Sequence, residues 1–221
     1  KSNVTHHDLF TDVFRILFEP SPRVQRAIYD KLTQLDIVNK EYNMVQVRAR
    51  QPNIIPNDVA IEWGASYAPG IAQPYDIKRH MDMVNPFVIT PLLEKLYIKL
   101  YSNAVECANQ LKPGLPIYLA SDTNFGNNMM HQQYSIRVAA SQNDTTPLHI
   151  DSDDNYGKDP SDFYLIFIDL YIMAKAKCSS VSAGGFGSFP LRMSGNTCHL
   201  THTKTVCGVS SSYDNQTTAT V

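Results

Sequence analysis

Cys178-Ser179-Ser180-Val181-Ser182-Ala183-Gly184-Gly185-Phe186-Gly187-Ser188-Phe189-Pro190-Leu191-Arg192-Met193 reads as a strand, a glycine-rich bend and a short helix. The strand is Cys178 to Ser182 and the helix Ser188 to Met193, with Gly184-Gly185-Phe186-Gly187 between them. Glycines let a ligand approach the backbone closely, and the amide groups at a helix start attract anions, so this bend is a candidate phosphate cradle. It fits neither the Walker A loop nor Gly-x-Gly-x-x-Gly, and a simple cluster of turn glycines is the competing reading.

The segments upstream repeat the alternation. Leu9 to Phe18 has apolar residues at helical spacing, and Glu19-Pro20-Ser21-Pro22 breaks it. Ser21 is placed to cap a second helix, Pro22 suits its first turn, and Val24, Ala27, Ile28, Leu32 and Leu35 form one face. Tyr42 to Val47 is a strand that delivers Arg48-Ala49-Arg50. From Pro91 a long helix carries Leu93, Leu96, Leu100, Ala104, Cys107 and Leu111 on one stripe and ends before Lys112-Pro113-Gly114. Pro116 to Ala120 is a strand delivering Ser121-Asp122-Thr123, Asn127 to Ala140 a helix, and Pro147 to Ile150 a strand delivering Asp151. Asp159-Pro160-Ser161 opens an apolar helix to about Lys175.

Strands alternating with helices predict an α/β, Rossmann-like fold, a mainly parallel sheet with helices on both faces. One domain is expected over 1–205, with an irregular, proline-bearing insertion at 51–90 that holds Trp63, and a Ser/Thr-rich disordered tail at 206–221. In such sheets ligands bind outside the carboxyl ends of the strands. Arg48, Ser121 with Asp122, Asp151 and Ser182 to Gly187 are the residues delivered there.

Bulk properties narrow the partners. With 221 residues and 43% hydrophobic content the chain has ample core, and a formal charge of -2 gives no electrostatic case for nucleic acid or an anionic membrane. The longest apolar run, Phe163 to Ala174, is broken by Asp169 and is too short to span a bilayer, so no membrane span is expected. Lys1 opens the chain without methionine or leader, which predicts a longer parent chain. Cys107, Cys178, Cys198 and Cys207 lack a Cys-x-x-Cys pair, and Cys198 with Cys207 is a candidate for closing a short surface loop. The sequons at Asn3, Asn143 and Asn215 permit a secretory location.

Beside the glycine-rich bend, two positions carry the chemistry, Arg48 and Asp169. The Arg48 guanidinium presents a fork of donors matched to phosphate oxygens, against the plainer reading of a surface salt bridge; Arg50, two residues on, reads as solvent-facing. Asp169 is surrounded at helical spacing by Leu165, Ile166, Ile172 and Met173, which would bury it. A buried carboxylate needs donors, supplied either by a structural partner or by a ligand such as the N–H edge of a base. Asp151 to Gly157 looks like a calcium loop but has its glycine one position late and no twelfth-place Glu, so a solvated acidic loop is expected. Cys198-His199-Leu200-Thr201-His202 lacks a second half for a zinc site, so no metal is expected.

In order and spacing, the helix pair from Leu9 to Leu35, Val45-Gln46-Val47-Arg48-Ala49-Arg50, Pro116 to Asp122, and Asp169 ahead of Gly184-Gly185-Phe186-Gly187 resemble the GDP-fucose-dependent fucosyltransferases. The match is to the donor-binding half of the superfamily that holds the α-1,6-fucosyltransferases and protein O-fucosyltransferases, and it covers most of Leu9 to His202. The resemblance implies a GT-B donor domain, inverting transfer of fucose from GDP-fucose to a glycan or protein acceptor, no metal or other cofactor, and a place in the Golgi or secretory-pathway lumen. It implies that Arg48 binds the β-phosphate as the catalytic residue and that Asp169 reads guanine. It also implies that Ser182, Gly184, Gly185 and Phe186 wrap the diphosphate, with Gln46 and Asp122 completing the donor site. Gln46 stands where the family has histidine, Gly184-Gly185 replaces serines, and the acid that often follows the arginine is missing, with Asp58 and Glu62 the distant candidates for a base. A noncatalytic module with a degenerate donor pocket is the alternative; an unrelated phosphate-binding α/β enzyme such as a kinase or dehydrogenase is a third reading.

Overall fold

A computed structural model describes residues 6–49, 91–133, 138–140, 164–182, 185–203 and 205–208. Six helices and six strands are seen among them: α1 (His6–Leu17), α2 (Pro22–Gln34), β1 (Asn43–Val47), α3 (Pro91–Leu111), β2 (Ile117–Ser121), α4 (Asn124–Gln133), β3 (Val138–Ala140), α5 (Tyr164–Ala174), β4 (Ser179–Val181), α6 (Gly185–Ser194), β5 (His199–His202) and β6 (Cys207–Gly208). The sheet order is β3-β2-β1-β4-β5-β6, parallel throughout except for β6, which runs antiparallel to β5. β1 lies in the middle, with Val47 opposite Ser121 of β2 and Gln46 opposite Val181 of β4. All five β1 residues are buried, as expected for a central strand covered on both faces.

Alternation of side chains sorts the two faces. Met44, Tyr118, Ala120 and Val181 pack with Ile28 and Leu32 of α2, Ile168 and Ile172 of α5, and Leu191 and Met193 of α6. α3 covers the other face, lying on β1, β4 and β5, with α4 beside it. Burying most of a Leu, Ile or Met side chain contributes roughly 1.5–3 kcal/mol, so these two layers carry most of the fold's stability. α1 is held outside α6 by Phe10 and Phe14, whose rings meet Phe189 edge-on at 6.0 and 5.6 Å, and by the Thr11 hydroxyl donating to the Arg192 carbonyl at 2.6 Å.

Element ends follow local chemistry. Ser21 Oγ accepts the Val24 amide at the start of α2, with Pro22 at its first position. Asp36 and Asn39, at φ 53° and 59°, make the left-handed turns into β1, and Gly195 at φ 67° ends α6. The buried Asn43 amide donates to the carbonyls of Ala108 and Lys112 at 3.3 and 2.7 Å, tying the end of α3 to the start of β1.

Several expectations need correction. Asn127 to Ala140 is not one helix: α4 ends at Gln133 and Val138–Ala140 pairs with β2. α6 starts at Gly185, so Gly185, Phe186 and Gly187 are its first turn and not a free loop. His199–His202 is a strand, and Cys207–Gly208, placed in a disordered tail by the sequence, pairs with it. Cys198 and Cys207 do not join each other; the bridges are Cys107–Cys207 and Cys178–Cys198. Cys107–Cys207 pins β6 to α3 across 100 residues. A closure that long removes far more freedom from the unfolded chain than the short loop expected, on the order of 4–5 kcal/mol in the chain-entropy account. The insertion at 51–90, Arg50, the strand at 147–150, Asp151 with its acidic loop, Gly184, the three sequons and the chain beyond 208 lie outside the described residues.

Candidate functional site: the crevice between β1 and β4

From β1 the chain moves outward through β2 and β3, then returns to the other side of β1 for β4 and β5. The strand order therefore reverses between β1 and β4, and the carboxyl ends of these two strands flank the crevice where an open α/β sheet binds ligands. Arg48 leaves β1 there and α6 begins there, immediately after β4.

Gly187 explains why α6 comes so close. A Cβ at this position would lie 2.6 Å from Gln46 Oε1 and 3.1 Å from the Val181 Cβ, so glycine lets the first turn of α6 rest on β1 and β4 without displacing Gln46. The same contact shows that Gln46 faces α6, and Arg48, just past the end of β1, is joined to Ser182 through its backbone amide. At Gly185, by contrast, a Cβ would meet nothing within 4 Å among the described residues, so no described side chain or backbone crowds that position. Phe186 is exposed beside it.

Around the strand ends the polar groups are tied together. Gln46 and Ser182 are buried; Ser182 Oγ donates to Gln46 Oε1 at 2.9 Å and accepts the Arg48 amide at 2.9 Å. The Ala49 amide donates to Asp122 Oδ1 at 2.7 Å, and the Tyr97 hydroxyl to the Ala49 carbonyl at 3.3 Å. Tyr101 shares short hydrogen bonds with Ser121 and with Thr123, the latter at 2.8 Å, and Thr123 Oγ1 caps α4 by accepting the Gly126 amide at 3.2 Å. Burial, and after it the nearby Asp122 carboxylate, push the Tyr101 phenol well above its ordinary range, so it stays protonated. Arg48 is half-buried and forms no ion pair among the described residues, which leaves the salt-bridge reading without a carboxylate there.

The structure thus gathers Gln46, Arg48, Asp122, Ser182, Gly185 and Phe186 at one sheet edge. Asp169 is elsewhere. Its Oδ1 accepts from Lys31 Nζ at 2.5 Å and from the Tyr118 hydroxyl at 2.6 Å, on the flank of the sheet under α2 and α5. Tyr118 precedes the strand end by three residues, roughly 10 Å of strand rise, so Asp169 has the structural partner that was the competing expectation. Burial, then the Asp169 carboxylate, raise the Tyr118 phenol well above its usual range, which keeps its proton on that bond. An open groove lined by Tyr29, Ile37, Val38, Tyr42 and Lys175 lies at the opposite end of the sheet, before β1 and β4 begin, and shares none of the crevice residues.

Tyr97, Tyr101, Thr123 and Gly187 had clear signals in the sequence. The two tyrosines sit one turn apart on the apolar stripe of α3, and a hydroxyl on such a stripe needs a partner. Thr123 follows a strand and precedes a helix, the setting of a cap. Comparison with family models, with characterised proteins and with solved structures returns no match for this chain. Among the described residues no helix is long and apolar enough to cross a membrane, and no cluster of three metal-ligating side chains is present.

Proposed function

We propose that this chain binds the diphosphate of a nucleotide sugar and serves as the donor domain of a glycosyltransferase, with GDP-fucose as donor. The observation that supports this reading is that Arg48 leaves β1 and α6 begins after β4 on the two sides of the reversal point of the sheet, with Ser182 joined to the Arg48 amide between them. Cleavage of the bond between the sugar C1 and the β-phosphate oxygen leaves an additional negative charge on GDP. An arginine fork and helix amide donors stabilise that charge as it develops, so Arg48 acts electrostatically and takes no proton. The acceptor, a glycan or protein hydroxyl, attacks C1 from the opposite side with inversion. Asp58 and Glu62, the carboxylates offered by the sequence to take its proton, lie outside the described residues. The Golgi or secretory lumen fits the two disulfides, which persist in oxidising compartments.

Calorimetric titration of the chain with GDP, GDP-fucose, ATP and NAD tests the proposal. Guanine nucleotides are expected to bind, and Arg48→Ala to weaken them by about 10- to 100-fold, the value of a charge-assisted hydrogen bond. A folded chain that ignores every nucleoside diphosphate sugar overturns the reading, and preference for ATP or NAD redirects it to another phosphate-binding enzyme. One observation favours a noncatalytic donor-binding module: Gln46, at the position of the family's histidine, is tied to Ser182 under Gly187 and not presented to a ligand. Transfer or hydrolysis of GDP-fucose by the chain would reject that alternative.

A further inference from the structure

We infer that Ser182 and Asp122 are positioning residues that clamp the Arg48–Ala49 backbone between β4 and β2, and so fix the arginine at the crevice; the inference rests on the donor-site reading above. Once β1 leaves the sheet, the Arg48 and Ala49 amides lose their strand partners while Ala49 remains fully buried. Buried amides must find acceptors. Ser182 Oγ takes the first at 2.9 Å and Asp122 Oδ1 the second at 2.7 Å, while Tyr97 from α3 holds the Ala49 carbonyl. Three separate elements thus converge on one dipeptide.

The chemistry of both side chains suits holding better than gripping. The single hydroxyl proton of Ser182 is spent on Gln46 Oε1, so donating it to a phosphate would break that bond. An Asp122 carboxylate has only acceptors and repels a phosphate. The clamp also sets the register of the two anion-binding parts. Gln46, bonded to Ser182, is the surface on which Gly187 rests, so the first turn of α6 and the Arg48 backbone share one support. Arg48 and the helix amides therefore address one diphosphate as a pre-arranged pair, with little ordering left to occur on binding.

The test has two arms on the full chain. In the first, hydrogen exchange is followed by NMR at the Arg48 and Ala49 amides, without ligand. Both are expected to be protected; Ser182→Ala should speed exchange at Arg48 and Asp122→Ala at Ala49, each on the order of tenfold. Asp122→Asn, which keeps the acceptor oxygen, should retain protection, and the central Val45 amide serves as reference. Amides that exchange freely in the wild type, or that ignore these substitutions, overturn the clamp.

The second arm measures affinity for inorganic pyrophosphate and GDP by calorimetry. Ser182→Ala and Asp122→Ala should each weaken both probes on the order of fivefold, with no further loss when added to Arg48→Ala, because they act through the arginine. Losses that add in the Arg48→Ala background mean direct ligand contact and overturn the positioning role. A chain with protected amides that binds neither probe defeats the donor-site reading and leaves the clamp without an anion to serve. A chain that binds both probes but has unprotected amides defeats the clamp alone.

Discussion

Two partly buried polar clusters lie on this sheet, and they differ in what they leave unused. On the flank, Lys31, Asp169 and Tyr118 close on one another: an ion pair with one shared carboxylate oxygen, a phenol held protonated, and the Lys31 ammonium 5.6 Å from the Tyr118 ring centre. At the carboxyl end, Ser182 and Asp122 accept the Arg48 and Ala49 amides and Gln46 is tied to Ser182, while the Arg48 guanidinium has no ion pair among the described residues and α6 begins alongside. A closed cluster supports the fold, and a cluster that ends in a cation without an ion pair supports a ligand. The difference lies in the open end and not in the number of charges.

Removing Asp169 tests the closed cluster most severely. Asp169→Ala strands Lys31, whose side chain is only 12% exposed, and should cost about 3–4 kcal/mol in denaturant unfolding while GDP affinity in the folded fraction stays unchanged. Loss of nucleotide binding by a stable Asp169→Ala protein would mean that this carboxylate reads the base after all, and the contrast would fail. A third buried polar group, outside both clusters, sharpens the assignment of acid sensitivity. His202 donates to or accepts from Ser180 Oγ through Nδ1, has no hydrogen-bond partner at Nε2 among the described residues, and is pushed by burial down to about 4 from an ordinary 6.5. Because the unfolded chain takes up this proton first, stability should fall as pH drops from about 6.5 to about 4 and level off below, by up to about 3 kcal/mol. His202→Leu should flatten that window in urea unfolding at a series of pH values; an unchanged slope would assign it to other groups.

The open cluster predicts smaller effects on stability. Arg48→Ala should cost about 2 kcal/mol of GDP binding yet change the unfolding free energy by less than about 0.5 kcal/mol, the range for a group that holds no part of the fold. Gly187→Ala crosses the contrast, since its new methyl presses on Gln46 Oε1 and Val181. It should destabilise by about 1 kcal/mol and weaken GDP several-fold by lifting α6 from β1, as read by thermal unfolding and calorimetry on the same sample. A change in stability with no change in affinity would separate the helix position from the anion site.

Much of the crevice was legible because its signals are local. Arg48 follows an apolar strand, Ser182 closes a second strand, and glycines follow that, so strand-end residues of a parallel sheet meet by topology alone. Asp169 was anomalous for an equally local reason, a carboxylate among apolar neighbours, but its partner Lys31 is 138 residues away and no periodicity points to it. The role of Gln46 was hidden similarly, because whether an amide faces ligand or a helix glycine depends on how closely α6 approaches.

Alternating apolar segments, the Ser21 cap, the break at Lys112-Pro113-Gly114 and the strand-end arginine were determined by the sequence itself, since each depends on residues within a few positions of one another. The short strands Val138–Ala140, His199–His202 and Cys207–Gly208, the pairing of the four cysteines and the division between supporting and ligand-facing polar groups were decided only by the tertiary structure. A strand of two to four residues has too little periodicity to declare itself, and a cysteine carries no mark of its partner. Both are set by which distant surfaces the folded core brings within reach.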